Sequence, residues 1–104
     1  MSVLSITFHC TKSNLEEWEN YIDEKLVAMT ENLLDVNKYI LSEVHSDYIE
    51  EGKNYNLLLV FDNDEVREDF VKSEMLNIVE RVEAKFGTEV MIFNTLLNPK
   101  KTRF

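Results

Sequence analysis

Two histidines, one cysteine and one tryptophan are the side chains of this sequence whose chemistry stands out. His9 and His45 are the groups that titrate nearest neutrality when unperturbed, so proton transfer or ligand contact at physiological pH falls to them. His9 lies in a run from Val3 to Cys10 in which Val3, Ser5, Thr7 and His9 share one parity and Leu4, Ile6, Phe8 and Cys10 the other. That alternation is the period of a strand with one apolar face. It sets the hydroxyls of Ser5 and Thr7 beside the imidazole of His9 and predicts a ligand site built on His9 and Thr7. Glu43 or His45 would join from a second strand. The competing reading makes them polar residues half exposed at a strand end. Cys10 sits on the apolar parity, where a buried, inert thiol is expected rather than a nucleophile. Trp18 sits within an apolar helical stripe, either as core packing or as the aromatic wall of a pocket between helix and sheet. Two glycines exclude a phosphate-cradling loop, and neither a spaced Cys/His set nor a GxSxG motif is present, so no metal and no cofactor is expected.

The elements that must position these groups are legible as periodicities. Ser13, with Glu16 three residues on, has the pattern of a capping box opening a helix. Leu15, Trp18, Ile22, Leu26 and Met29 follow at helical steps and form one inner stripe, with Glu16, Glu17, Asn20, Asp23, Glu24 and Glu31 opposite. Residues 38–48 read as a second strand, Glu50 to Asn54 as a polar turn, and Tyr55 to Phe61 as a third strand in an antiparallel hairpin. Asp62, Asn63 and Asp64 supply an N-cap cluster for a second helical region ending at Gly87. At 100° per residue from Val66, Phe70 falls at about 40°, whereas Met75, Val79, Val82 and Phe86 fall between about 160° and 220°. A single straight helix would carry apolar stripes on opposite sides, so a break is expected near Lys72 to Glu74, with Ser73 capping the second half. Glu89 to Leu97 read as the last strand.

The order is βαββαβ, an α+β ferredoxin-like plait: a four-stranded antiparallel sheet with the helices on one face and the second helix broken near Ser73. Residues 1–99 read as one such domain and residues 100–104 as a short basic tail. In this topology the first and second strands run parallel with the third between them, so His9 and His45 lie towards the same end of the sheet, roughly 9–10 Å apart. Such a gap is too wide for one metal ion but within reach of a small ligand.

Of the 104 residues, 20 are acidic and 11 basic, a net charge of 11 − 20 = −9. That balance opposes nucleic-acid binding. Sequence features of secretion or membrane spanning are absent, and one cysteine cannot form an internal disulfide, so a cytoplasmic protein held by its core is expected. The 44% hydrophobic content exceeds what one sheet face can use. Leu58 and Val60 oppose Leu57, Leu59 and Phe61, and Met91 and Phe93 oppose Val90 and Ile92. The helix-free face therefore carries an apolar surface of several hundred Å², the scale of an interaction patch. A face-to-face homodimer through Leu58, Val60, Met91 and Phe93 is expected. The alternative is a monomer whose tail and loops fold over the sheet.

The segments Glu16-Glu17-Trp18, Tyr39, Gly52 before Tyr55, Lys85-Phe86-Gly87 and Ile92 to Leu97 resemble those of a bacterial family of domains of about 100 residues with a ferredoxin-like plait. That family's function is unknown, and it is related in shape to the dimeric α/β-barrel proteins. The chain departs from the family pattern at Lys25 and Val82, near positions where histidines are expected. The resemblance implies a fold and a dimer, and no reaction. Two functions stay open: a non-catalytic dimeric binding or regulatory module, and a small cofactor-free oxygenase- or isomerase-like enzyme of the dimeric α/β-barrel type.

Overall fold

A computed structural model describes residues 1–45 and 51–103. Strand β1 (Ser2–Cys10) buries Leu4, Ile6, Phe8 and Cys10, the apolar parity of its sequence. It lies inside the sheet between β3 (Lys53–Phe61) and β4 (Val90–Leu97), with β2 (Lys38–Glu43) outside β3. All pairings are antiparallel, so β1 and β2 run parallel, as the expected plait requires. Leu57, Leu59 and Phe61 meet Ile6, Leu4 and Ser2 across the β1–β3 ladder. With residues of the helices packed on top, they make one core. The fold is the ferredoxin-like α+β plait.

The first helix is less regular than its stripe predicts. It opens with a 3-10 turn over Lys12–Asn14, continues as α1 (Leu15–Tyr21), widens to a π-helical turn over Ile22–Leu26 and closes as α2 (Val27–Glu31). The capping box does not form. Asn14 occupies the N-cap position without a side-chain bond, and Ser13 Oγ instead accepts from Asn14 Nδ2 at 3.2 Å. The extra turn tightens and rotates the chain before the box could close. In the π-helical turn the Val27 N–H reaches back five residues to Ile22 O. One turn then takes more than 3.6 residues, so the buried positions run Trp18, Ile22, Leu26 and Thr30 at steps of four. Thr30 joins this row, its hydroxyl donating to Leu26 O at 2.9 Å, and Met29 packs partly buried against the core, as the stripe predicts.

The second helical region breaks at Ser73, between α3 (Asp64–Lys72) and α4 (Glu74–Phe86). Asn63 caps α3 by accepting from Val66 N at 2.9 Å. Ser73 does not cap α4 with its side chain. Its hydroxyl donates backwards to Asp69 O at 2.7 Å, and its carbonyl accepts from the Leu76 and Asn77 amides. The two halves bury Phe70 and then Met75, Ile78, Val82 and Phe86, the rotated stripes expected of a break. Other boundaries shift. β2 ends at Glu43, short of the expected 48, leaving His45 beyond the strand; residues 46–48 lie outside the described residues, as does Glu50 of the expected turn. β3 starts two residues early at Lys53, and a 3-10 turn over Gly87–Glu89 precedes β4.

Arg67 ties the layers together in a way the sequence does not announce. Its guanidinium is 7% exposed and donates to Val3 O at 3.0 Å, Leu97 O at 2.8 Å and Asn98 Oδ1 at 3.2 Å, with Asp64 3.5 Å away. Ser2 Oγ also donates to Asp64. α3 is thereby pinned to one end of both β1 and β4. No helix among the described residues is long and apolar enough to cross a membrane.

Candidate functional site

The helix-free face is built from cross-strand rows. Lys38, Val60, Val3 and Leu97 form one; Ile40, Leu58, Ser5 and Thr95 the next; then Ser42, Asn56, Thr7 and Phe93. The last holds Asn54, His9 and Met91, with the Val44 amide donating to Asn54 O at 2.9 Å. Down the middle runs a polar track. Asn56 Nδ2 donates to Ser5 Oγ at 2.8 Å and to Thr7 Oγ1 at 3.3 Å. His9 Nδ1 lies 2.6 Å from Asn54 Oδ1. A carboxamide oxygen only accepts, so Nδ1 carries the proton and a neutral imidazole keeps Nε2 as an acceptor. Apolar groups flank the track on both sides. Ile40 is 60% exposed and Phe93 56%, while Leu58 and Val60 are half buried. At one corner the C-terminal segment turns back, and Pro99 and Thr102 join Met1, Val3, Ile40, Leu58 and Val60 around a hollow of about 660 Å³.

His9 and Thr7 therefore share a face, as their parity predicts, Thr7 bonded to Asn56 and His9 to Asn54. Exposed His45 lies past β2, at the His9 end of the sheet but beyond β3. Trp18 is not brought to them. Its ring is fully buried on the opposite side of the sheet, 5.3 Å from Phe8, stacked on Tyr21 at 5.7 Å and edge-on to Phe86 at 5.5 Å. A pocket lined jointly by Trp18, His9 and Thr7 does not exist among the described residues, because Phe8 and the β1 backbone stand between them.

Two groups on the helix side escape sequence reasoning. Tyr55 OH donates to Glu19 Oε2 at 2.5 Å, and Lys53 Nζ sits 2.5 Å from Glu43 Oε1 and 4.0 Å from Glu19 Oε2. Burial, the Glu19 hydrogen bond and nearby carboxylate charge push the Tyr55 phenol far above its usual range, and the Glu43 bond raises Lys53. Both stay protonated at neutral pH, so the cluster locks α1 to the sheet rather than supplying a base. Alternation placed Tyr55 inside, but no local signal marks a partner 36 residues away. Among the described residues, no group of three or more His, Cys, Asp and Glu side chains could hold a metal ion.

Cys10 is free and buried, its Sγ donating to Thr11 O at 3.3 Å. Burial, reinforced by Glu89 and Glu19, raises its thiol from 9.0 to about 11. An acid that is harder to ionise when folded favours the fold fully below its unfolded value and loses that contribution as pH climbs through the folded one. Chemical denaturation should therefore show stability declining between pH 9 and 11, with the decline reduced in Cys10→Ala. The native thiol should also resist iodoacetamide at pH 8 and react only on unfolding.

Comparison with known proteins adds the following. A family model described as a domain of unknown function matches residues 1–100. No curated protein matches the chain. Among solved structures, a dimeric ferredoxin-like protein from an uncultured marine organism superposes with a TM-score of 0.65 at 13% identity, covering 100% of this chain and 99% of that one. An EthD family protein from Bacillus halodurans gives 0.67 at 11% identity, covering 91% and 97%. SnoaB, a cofactor-independent oxygenase from Streptomyces nogalater solved as its N63A mutant, gives 0.62 at 12% identity, covering 97% and 95%. At such identities the likeness is one of fold.

Proposed function

The chain belongs to the DUF4286 family of domains of unknown function, and from that footing we propose that it works as a homodimeric, non-catalytic binding module whose two sheets pack through their helix-free faces. One observation carries the proposal: that face leaves Ile40, Met91, Phe93 and Leu97 between 41% and 60% exposed in a single chain. Water-facing apolar area on this scale is stabilised by a cover, and two-fold pairing of identical faces is the commonest cover among soluble oligomers. The dimeric assembly of the marine ferredoxin-like protein supports the reading. Leu58, Val60, Met91 and Phe93 form the interface, joined by Ile40. The track of Ser5, Thr7 and His9 then faces the shared interior, where a small polar ligand would meet it, with His45 at the rim. Because Ser5 and Thr7 already bond Asn56, and no carboxylate among the described residues orients His9, binding fits the track better than turnover. The single buried cysteine suits a reducing, cytoplasmic setting.

Light scattering at micromolar concentration should return twice the chain mass of 12.3 kDa. Phe93→Asp, which puts a charge into the interface, should weaken association by at least about 100-fold and return the single-chain mass with an unchanged far-UV spectrum. A wild-type mass of one chain overturns the dimer.

A second reading is favoured by the free Nε2 of His9: a cofactor-free oxygenase-type enzyme using that imidazole as base. It expects His9→Ala to abolish ligand turnover while the melting temperature stays within about 2 °C, since the residue sits on the polar parity of its strand.

A further inference from the structure

Strand β4 ends the sheet: β1 pairs with it on one side, and among the described residues no strand pairs with the other. An unpaired strand edge recruits another strand unless charge, proline, a bulge or a covering element prevents it. β4 has none of these. No charged residue, proline or glycine occurs from Val90 to Leu97. Its register with β1 runs unbroken from Val3 and Leu97 to Cys10 and Val90, so no bulge turns the edge away. Nor does a helix cover it. The groove of about 710 Å³ that separates it from α4 is lined by Met75 and Val79 together with residues of both β4 faces, Ile92 and Asn94 on one and Met91 and Phe93 on the other. The opposite edge of the sheet is protected: β2 is shorter and carries Lys38 and Glu43 at its ends, with Glu43 ion-paired to Lys53. Leu96 adds a second observation. It lies on the helix side of β4 beside fully buried Leu4, yet it is 57% exposed, and packing of the helix-free faces leaves it so.

We propose that β4 pairs along this free edge with β4 of a second copy, antiparallel about a two-fold axis, extending the sheet from four strands to eight. This contact is separate from the face-to-face one. Residues opposite each other in such a ladder share a face, so the register joins positions of equal parity. With Asn94 on the axis, its carboxamide meets the partner's, and each donates to the other's oxygen. Ile92 then stands opposite the partner's Leu96 and covers it, and Met91 stands opposite the partner's Leu97. The basic tail that follows Leu97, with Lys100 and Lys101, begins beside the partner's Glu89, so opposite charges meet at both ends of the ladder although each chain carries −9. The ladder is short, so it forms at higher concentration than the face-to-face dimer. Two different two-fold contacts on one chain build assemblies larger than a dimer.

Oxidative crosslinking of the full chain at sub-millimolar concentration provides the test. A residue on the axis lies about 4.5–5.5 Å, Cα to Cα, from its own copy, within disulfide reach. Asn94→Cys, oxidised with copper phenanthroline, should therefore form a linked dimer at least about tenfold faster than Thr95→Cys, whose two copies stand two residues out of register. Native Cys10 is buried and takes no part. Adding Leu96→Lys to the Asn94→Cys chain should slow the linkage by a similar factor. Adding Ile40→Asp, which puts a charge on the helix-free face far from β4, should leave it unchanged. All four positions are exposed, so the variants keep the wild-type far-UV spectrum. Equal rates for the two cysteine variants, or no effect of Leu96→Lys, would overturn the edge pairing. So would a linkage abolished by Ile40→Asp, which would place it at the sheet face; a wild-type mass of one chain at micromolar concentration, with the linkage intact, would overturn the face-to-face dimer alone.

Discussion

Gly52→Ala is expected to cost about 4 kcal/mol, a large part of the ~5–15 kcal/mol that holds a domain of this size folded. Gly52 adopts φ +121°, a conformation strained by about 1–3 kcal/mol for any residue with a Cβ. It also lies against the end of β1, where an added Cβ would stand 2.1 Å from Cys10 O and 3.1 Å from Thr11 Cα. Both are backbone atoms, so no rotamer change relieves the collision; the strand end itself must move. Gly87 serves as the internal comparison. It too has positive φ, +58°, but a Cβ there meets nothing within 4 Å. Gly87→Ala should therefore cost only the backbone strain, about 1–2 kcal/mol. Urea unfolding of the two variants separates strain from collision, and equal losses would show that the approach of Gly52 to Cys10 carries no energy.

Trp18→Ala is the second large effect, about 3–5 kcal/mol, because it empties the contact between Phe8, Tyr21 and Phe86. Trp18→Phe tests what that ring does. The indole Nε1 is buried without a hydrogen-bond partner among the described residues, and a buried donor left unmade costs about 1–3 kcal/mol. Phenylalanine removes that donor together with some volume, so its net loss should be about 1 kcal/mol. A Phe variant as damaged as the Ala variant would mean that the N–H is used, and that Trp18 is more than packing. Neither substitution touches the polar track, so the solution mass should be that of the wild type in both.

These two positions show where sequence patterning works and where it stops. The parity of residues 3–10 matches the faces those side chains take, and the separation of about 120° or more between Phe70 and the Met75 stripe marks the break at Ser73. Both signals are local and rest on a regular repeat. The Ser13–Glu16 pair failed because a capping box is read from residue types alone, while a 3-10 turn over Lys12–Asn14 decides whether the geometry arises. Thr30 escapes for a like reason: counting at 3.6 residues per turn presumes an α-helix, and the π-helical turn brings Thr30 to the inner face beside partly buried Met29. His9 and Thr7 were paired correctly because one strand carries both. Trp18, read as core packing or as a pocket wall between helix and sheet, packs on Phe8, and strand alternation sends Phe8 and His9 to opposite sides. Arg67 and the Tyr55–Glu19 bond were invisible, since each spans at least 30 residues and depends on the finished fold.

The place of β1 in the sheet also bears on how the protein emerges from the ribosome. The strand is made before either of its neighbours, so both of its ladders wait for later segments: Val3 pairs with Val60 on one side and with Leu97 on the other. At about 5–20 residues per second, Leu4, Ile6 and Phe8 spend seconds outside the exit tunnel with neither neighbour available. During that interval the nascent chain displays a strand with both edges unpaired and an apolar face uncovered. Synthesis slowed after Phe61 has left the tunnel would lengthen the exposure of the β4 side alone.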